Sequence, residues 1–234
     1  MIHFVFPPMS PVVVPVAGSE ALFPVRRIFC VGRNYAEHAR EMGAADQAAG
    51  LEPPFFFTKP ADALVAGVDE LHVAYPSLTE NLHHEVEMVV ALADGGADIA
   101  VDQALGKVFG YAVGLDLTRR DIQAPAKAKG HPWDMAKGFD QSAVCGPLAT
   151  VAQVGHPDCG EIRLAVNGSN RQCGDLEQMG WKVADIIANL SRFVTLRAGD
   201  LIYTGTPAGV GPLQRGDRLL AQVEGLPVLR AQIV

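Results

Sequence analysis

Leu82-His83-His84-Glu85-Val86-Glu87-Met88-Val89-Val90 is the stretch on which the reading of this chain turns. After Glu85, β-branched and apolar residues dominate, as in a strand. Side chains alternate faces along a strand, so Glu85 and Glu87 share one side with His83, and His84 faces the other. Two carboxylates on one face of an apolar strand repel each other and are costly to desolvate. A cation between them removes that cost. So does a solvated outer face on an edge strand, and spacing alone does not choose.

The same problem recurs at Asp116, which ends the apolar strand candidate Val108–Leu115. An inward carboxylate there needs a partner. Glu85, Glu87 and Asp116 together form an all-oxygen donor set, suited to Mg²⁺, Mn²⁺ or Ca²⁺ rather than zinc or copper. Three protein ligands on an octahedral ion leave about three positions for water or substrate.

Three further groups carry possible chemistry. Asn34 is placed to cap a helix over Tyr35–Met42. His38 and Glu41 lie three apart on that helix and share a face. A carboxylate that orients an imidazole builds a general base near neutral pH, though an exposed ion pair has the same spacing. Arg119, Arg120, Asp121 and Gln123 open a short helix candidate, Thr118–Lys127, and Lys137 follows in Ala136-Lys137-Gly138-Phe139. Arginine binds carboxylates bidentately, so this group suits an acid substrate or else a solvated face; only one of the adjacent arginines can point inward. The Gly-rich run Tyr203–Pro212 lacks the Gly-Lys-Ser/Thr ending and following helix of a phosphate loop. Its N–H groups and the Thr206 hydroxyl suit an anion.

Around these groups the chain reads as a mixed, β-rich α+β fold with few helices. Arg27–Val31 and Phe55-Phe56-Phe57 are strand candidates, the latter apolar enough to be buried. Residues 43–54 read as a loop or weak helix. Ile162–Val166 alternates cleanly into the hairpin signal Asn167-Gly168. Leu176–Leu196 holds the best amphipathic helix, and Gly199-Asp200 and Gly216-Asp217 are turns before short strands. Residues 1–24, punctuated by Pro7, Pro8, Pro11 and Pro15, read as an extended N-terminal segment, with the main domain over 25–234.

The 234 residues are 49% hydrophobic and 19% charged, as in a soluble globular protein. Nineteen basic against 26 acidic residues give −7, which argues against nucleic acid or an anionic membrane as partner. Cys30, Cys145, Cys159 and Cys173 form no C-x-x-C pair and read as reduced thiols of a cytoplasmic protein. The apolar start is too Pro-broken for a signal peptide or spanning helix.

In their order, these pieces resemble the fumarylacetoacetate hydrolase family from about residue 25 to the C-terminus. The resemblance rests on Val31-Gly32-Arg33-Asn34-Tyr35 with His38 and Glu41, Phe57-Thr58-Lys59-Pro60, and His83-His84-Glu85-Val86-Glu87. It continues through Gly114-Leu115-Asp116-Leu117-Thr118-Arg119-Arg120-Asp121, Lys137-Gly138-Phe139-Asp140, and Thr204-Gly205-Thr206-Pro207-Ala208-Gly209-Val210-Gly211. Each motif is modest alone; the ordered set is specific. Length and the Pro-Pro-Phe-Phe-Phe run are most similar to the small bacterial acylpyruvases of the family.

The resemblance implies a β-roll-like catalytic domain, usually dimeric. It implies Mg²⁺ or Mn²⁺ (Ca²⁺ in a crystal) on Glu85, Glu87 and Asp116, and a water-activating dyad of His38 and Glu41 on a lid. Arg120, Gln123, Lys137 and Thr206 match positions that hold the oxo-acid end, with Lys137 also beside the developing enolate. The implied reaction is carbon–carbon cleavage of a diketo acid, foremost fumarylpyruvate in gentisate-type aromatic degradation. A fumaryl tail carries a second carboxylate, for which Arg33, Arg119, Lys127 and Lys129 are cation candidates. Oxaloacetate decarboxylation, homoprotocatechuate-pathway isomerisation and decarboxylation, or non-catalytic carboxylate binding are the alternatives.

Overall fold

The computed structural model describes residues 3–43 and 53–234. The segment expected as a loop or weak helix over 43–54 lies largely outside the described residues. The main sheet runs, edge to edge, through Phe55–Lys59, Arg27–Gly32, Asp200–Tyr203, Val86–Leu92, Val108–Asp116, Ala143–Cys145 and Leu64–Ala66. A second sheet orders Ser169–Asp175, Glu161–Val166, Arg218–Val223, Leu229–Ile233 and Leu71–Val73. Helices are few and short, so the fold is mixed α+β and rich in strands.

Val86–Leu92 is central, and all seven of its residues are buried. Its two faces feed two cores. Val86, Met88, Val90 and Leu92 pack into the larger cluster with Ile162, Leu164 and Ile187. Val89 and Ala91 pack into a smaller one with Cys30, Ala143 and Tyr203. This explains a near-continuous apolar run, since a strand covered on both sides has no solvent face. Glu87 belongs to the smaller-core face, so the edge-strand reading of the glutamates does not hold.

Register brings the third carboxylate in. Val86–Leu92 pairs antiparallel with Val108–Asp116, with Val86 opposite Leu115 and Glu87 opposite Gly114. One residue further, the Asp116 N–H donates to the Glu85 carbonyl at 2.9 Å. Asp116 therefore stands opposite Glu85 and diagonal to Glu87, within side-chain reach of both. Gly114 is required here: a Cβ would lie 2.5 Å from Val89 Cγ2 and 2.7 Å from Tyr203 Cε1. At Glu85 and Leu117 both chains leave the main sheet. Leu82–His84 then pairs with Thr118–Arg119 and Gly211–Pro212 in a small third sheet. The acidic residues sit where two strands change sheets.

Several local expectations are corrected. Asn34 does not cap the helix, which runs Ala36–Glu41 without a side-chain cap. Its amide instead bonds Trp181 O, Thr204 O and Trp181 N, tying three loops together. Phe55–Lys59 is an edge strand with Phe55 exposed. Thr118 and Arg119 are strand rather than helix, and the helix is Arg120–Lys129, ended by Gly130 in the left-handed region. The amphipathic helix expected within Leu176–Leu196 is present over Val183–Ser191; Trp181 lies outside it, because Gly180 and Trp181 are held by Asn34, and Leu176–Gln178 is a separate single turn. Val13–Pro15 and Leu22–Pro24 form a hairpin whose Val14 and Phe23 are buried in the smaller core. The Asn167-Gly168 turn forms with both residues at positive φ. All four cysteines are free thiols. Among the described residues no helix is long and apolar enough to cross a membrane.

Candidate active site

Ligand oxygens of Glu85, Glu87 and Asp116 lie within 4.8 Å of one another, and all three residues are buried. Three buried carboxylates at this spacing demand positive charge. Three cations respond. Lys137, at the end of the short helix Asp134–Lys137, places Nζ 2.7 Å from Glu85 Oε2 and 2.8 Å from Asp116 Oδ2. Arg120 donates to Glu85 Oε1 at 2.6 Å and to Gln123 Oε1 at 2.5 Å. Lys59 Nζ stands 2.7 Å from Asp116 Oδ1.

The compensation is uneven. Burial pushes the Glu85 carboxyl up, but Lys137 and Arg120 outweigh it and hold it below the usual carboxylate range. Burial, Asp116 and Glu85 together push Glu87 well above that range. The Gly205 N–H at 2.7 Å is its hydrogen-bond donor. Asp116 meets a lysine at each oxygen, Lys59 at 2.7 Å and Lys137 at 2.8 Å. An oxygen-only cluster in which Glu87 is left under-compensated fits a hard divalent cation. Glu85, Glu87 and Asp116 would hold it.

Glu85 and Glu87 floor a narrow cavity of about 50 Å³ that opens to solvent. Phe55, Phe57 and Trp133 form an aromatic wall, with Trp133 edge-on to both phenylalanines. His38 is buried and lines the same cavity as Glu85 and Glu87. Its Nδ1 lies 3.3 Å from Glu41 Oε2. Burial lowers the His38 pKa despite the opposing Glu85 and Glu41 charges, so the ring is neutral at pH 7. Glu41 also accepts from the Gly209 N–H at 3.2 Å, which ties the Ala36–Glu41 helix to the Gly-rich loop. That loop does bring N–H groups to anions, but the anions are the protein's own Glu41 and Glu87.

Sequence-singled residues divide clearly. Arg33, His38, Glu85, Glu87, Arg120, Gln123, Lys127, Lys137 and Thr206 line the one cavity. Asp116 lies beneath it in the carboxylate cluster. Of the adjacent arginines, Arg120 points inward, whereas Arg119 stacks over Phe139 at 4.4 Å. His83 is outside the carboxylate group and faces Asn81 and Arg120 instead. Two buried residues had no role in the sequence. Lys59 donates to the Leu117 and Lys137 carbonyls besides facing Asp116. Gln172 accepts from Val86 N and binds His84 Nδ1, and donates to Thr206 Oγ1 and Pro207 O. It fixes the strand break beside Glu85 and the Thr206 loop in one step. A lysine closing an apolar strand is a visible signal for Lys59; Gln172, in the polar run Ser169–Asp175, has none.

The family profile described as "Fumarylacetoacetate (FAA) hydrolase C-terminal" matches residues 27–234. A fumarylpyruvate hydrolase of Ralstonia sp is 43% identical over 176 residues, 75% of this chain and 90% of that protein. An oxaloacetate tautomerase of Escherichia coli is 41% identical over 204 residues, 87% of this chain and 90% of its own. The crystal structure of fumarylpyruvate hydrolase from Pseudomonas aeruginosa in complex with Mn²⁺ and pyruvate is 50% identical. It superposes with a TM-score of 0.95 over 99% of each chain. With the acidic cluster, the His38–Glu41 pair and the sheet exchange all in place, this chain belongs to the fumarylacetoacetate hydrolase family.

Proposed function

We propose that the chain is a metal-dependent hydrolase that cleaves the carbon–carbon bond of an acylpyruvate, fumarylpyruvate foremost, to a carboxylic acid and pyruvate. The observation that carries this reading is the buried Glu85–Glu87–Asp116 cluster sharing one cavity with a neutral, carboxylate-oriented His38. A divalent ion, Mg²⁺ or Mn²⁺, held by these carboxylates supplies Lewis-acid stabilisation of charge on the oxo-acid end. The relative crystallised with Mn²⁺ and pyruvate supports both the ion and the product.

The chain's own residues supply the rest. Neutral His38 accepts a proton from water at Nε2 while Glu41 holds Nδ1 and stabilises the imidazolium that forms. Lys137 is kept protonated: burial lowers its pKa, but Asp116 and Glu85 more than offset that. The hydroxide adds to the distal carbonyl, the carbon–carbon bond breaks, the Lys137 ammonium stabilises negative charge on the departing pyruvate half, and the His38 imidazolium returns the proton to its carbon. Arg120 and Gln123, from one helix face, orient the substrate carboxylate, with the Thr206 backbone N–H opposite; the Thr206 hydroxyl donates to the Val86 carbonyl and accepts from Gln172. Phe55, Phe57 and Trp133 exclude bulk water from the acyl side.

A second reading, proton transfer on oxaloacetate, is favoured by the similarly identical tautomerase relative. Pyruvate release from fumarylpyruvate, acetylpyruvate and oxaloacetate, with the oxaloacetate keto–enol ratio followed in parallel, separates the two. Hydrolysis predicts fumarate and pyruvate in equal amounts. Enol–keto exchange without acylpyruvate cleavage overturns it.

A further inference from the structure

We infer that Arg33 and Lys127 form a distal anion subsite that selects 2-oxo acids carrying a second carboxylate at the far end of the chain. This deepens, and rests on, the acylpyruvate reading.

The cations of the cavity fall into two groups. Arg120 and Lys137 are ion-paired at the carboxylate cluster, and Arg120 keeps two of its five N–H groups for a substrate. Arg33 and Lys127 line the same cavity, and among the described residues neither has a carboxylate partner. Arg33 is turned there by a left-handed backbone (φ 57°), and its guanidinium lies 5.7 Å from the Phe55 ring. Lys127 Nζ donates to the Met42 carbonyl at 3.0 Å, which leaves two ammonium protons unassigned. Lys127 is largely exposed; partial desolvation, then the Arg33 and Arg120 charges, lower its pKa, so positive charge gathers at this end. Crowded cations lining a cavity call for an anion, as the carboxylates call for a cation.

Distance selects the anion. Arg120, Gln123 and Lys127 lie at i, i+3 and i+7 on the Arg120–Lys129 helix, along one face. At 1.5 Å rise per residue, Lys127 stands about 10 Å along the axis from Arg120. With C–C bonds near 1.5 Å, carboxyl carbons six bonds apart are separated by roughly 7 Å in an extended chain, and those three bonds apart by roughly 4 Å. A seven-carbon 2-oxo diacid, at roughly 7 Å between carboxyl carbons, spans more than one helical turn of about 5.4 Å, and four-carbon oxaloacetate, at roughly 4 Å, spans less than one.

The test is calorimetric binding to the Mn²⁺-supplemented protein of 2-oxoheptanedioate and 2-oxoheptanoate, which differ only in the terminal carboxylate. The wild type should bind the diacid about tenfold more tightly or better, as charge-assisted contacts allow. Arg33→Met and Lys127→Met should each pull that ratio toward one. Equal wild-type affinities, or binding of neither ligand, overturn the inference. So does a parallel loss for both ligands in Lys127→Met, which would make Lys127 only a latch on Met42. The readout needs no turnover. A protein with the ratio but no acylpyruvate cleavage refutes the proposed reaction alone, and cleavage without the ratio refutes the subsite alone.

Discussion

Replacing Lys59 with methionine keeps the side chain's approximate length and removes its charge. Lys59 is fully buried, and its ammonium faces Asp116 and two backbone carbonyls. Breaking a buried ion pair from one side costs about 3–5 kcal/mol. Asp116 retains Lys137 at 2.8 Å, so the lower end applies, about 3 kcal/mol. For a domain of this size about 1 kcal/mol moves Tm by roughly 2–4 °C, so the metal-stripped variant should melt about 6–12 °C lower. The variant cluster keeps three carboxylates but loses one of three cations, which raises its electrostatic attraction for a divalent ion. Adding Mn²⁺ at about 100 times Kd stabilises by about 2.7 kcal/mol in either protein, and the rise in Tm at fixed Mn²⁺ should be larger in Lys59→Met. Thermal unfolding with EDTA and across a Mn²⁺ titration measures both. A variant melting within about 2 °C of wild type, or one gaining less from Mn²⁺, refutes the charge-balance reasoning.

Other perturbations have definite expected outcomes. Glu85→Ala and Asp116→Ala should each abolish metal-dependent acylpyruvate cleavage in a chain that still folds, as circular dichroism and turnover would show together. His38→Ala should lose hydrolysis by about 10²–10⁴ while Mn²⁺ affinity is unchanged; full turnover would remove it as the base. His38 works only when neutral, and burial lowers its pKa below the ordinary value of about 6.5. kcat/KM should therefore stay flat down through about pH 6.5, the ordinary imidazole value, and fall only at lower pH; rising activity toward pH 5 would contradict the role. Gln172→Leu strands the buried Val86 N–H at a cost of about 1–3 kcal/mol, and should lower both Tm and kcat.

The strands around the site were legible because a doubly covered strand leaves an unbroken apolar run, in which Glu85, Glu87 and Asp116 stand out. That the three form one donor set was expected; the geometry that brings them together was not legible. It depends on the Glu87–Gly114 register, which is set by pairing between distant segments. Asn34 shows the limit of local rules: its position suits a cap, yet bonds to Trp181 and Thr204 outcompete capping and also hold back the start of the helix to Val183. Charge and spacing alone did not separate Arg119 from Arg120, which only the family resemblance favoured; the helix start at Arg120 is what turns it to Glu85. Gln172 remained invisible because a glutamine in a polar hairpin strand looks solvated, and its burial arises from the loop folded over it.

The central claim is that Glu85, Glu87 and Asp116 hold a divalent ion without which no acylpyruvate is cleaved. Titrating Mn²⁺ into metal-stripped protein with fumarylpyruvate present, and following pyruvate in the same sample, tests it most directly. The account predicts no pyruvate at the start and a rate that saturates at one ion per chain. Full turnover before any metal is added, or in excess EDTA, would contradict it.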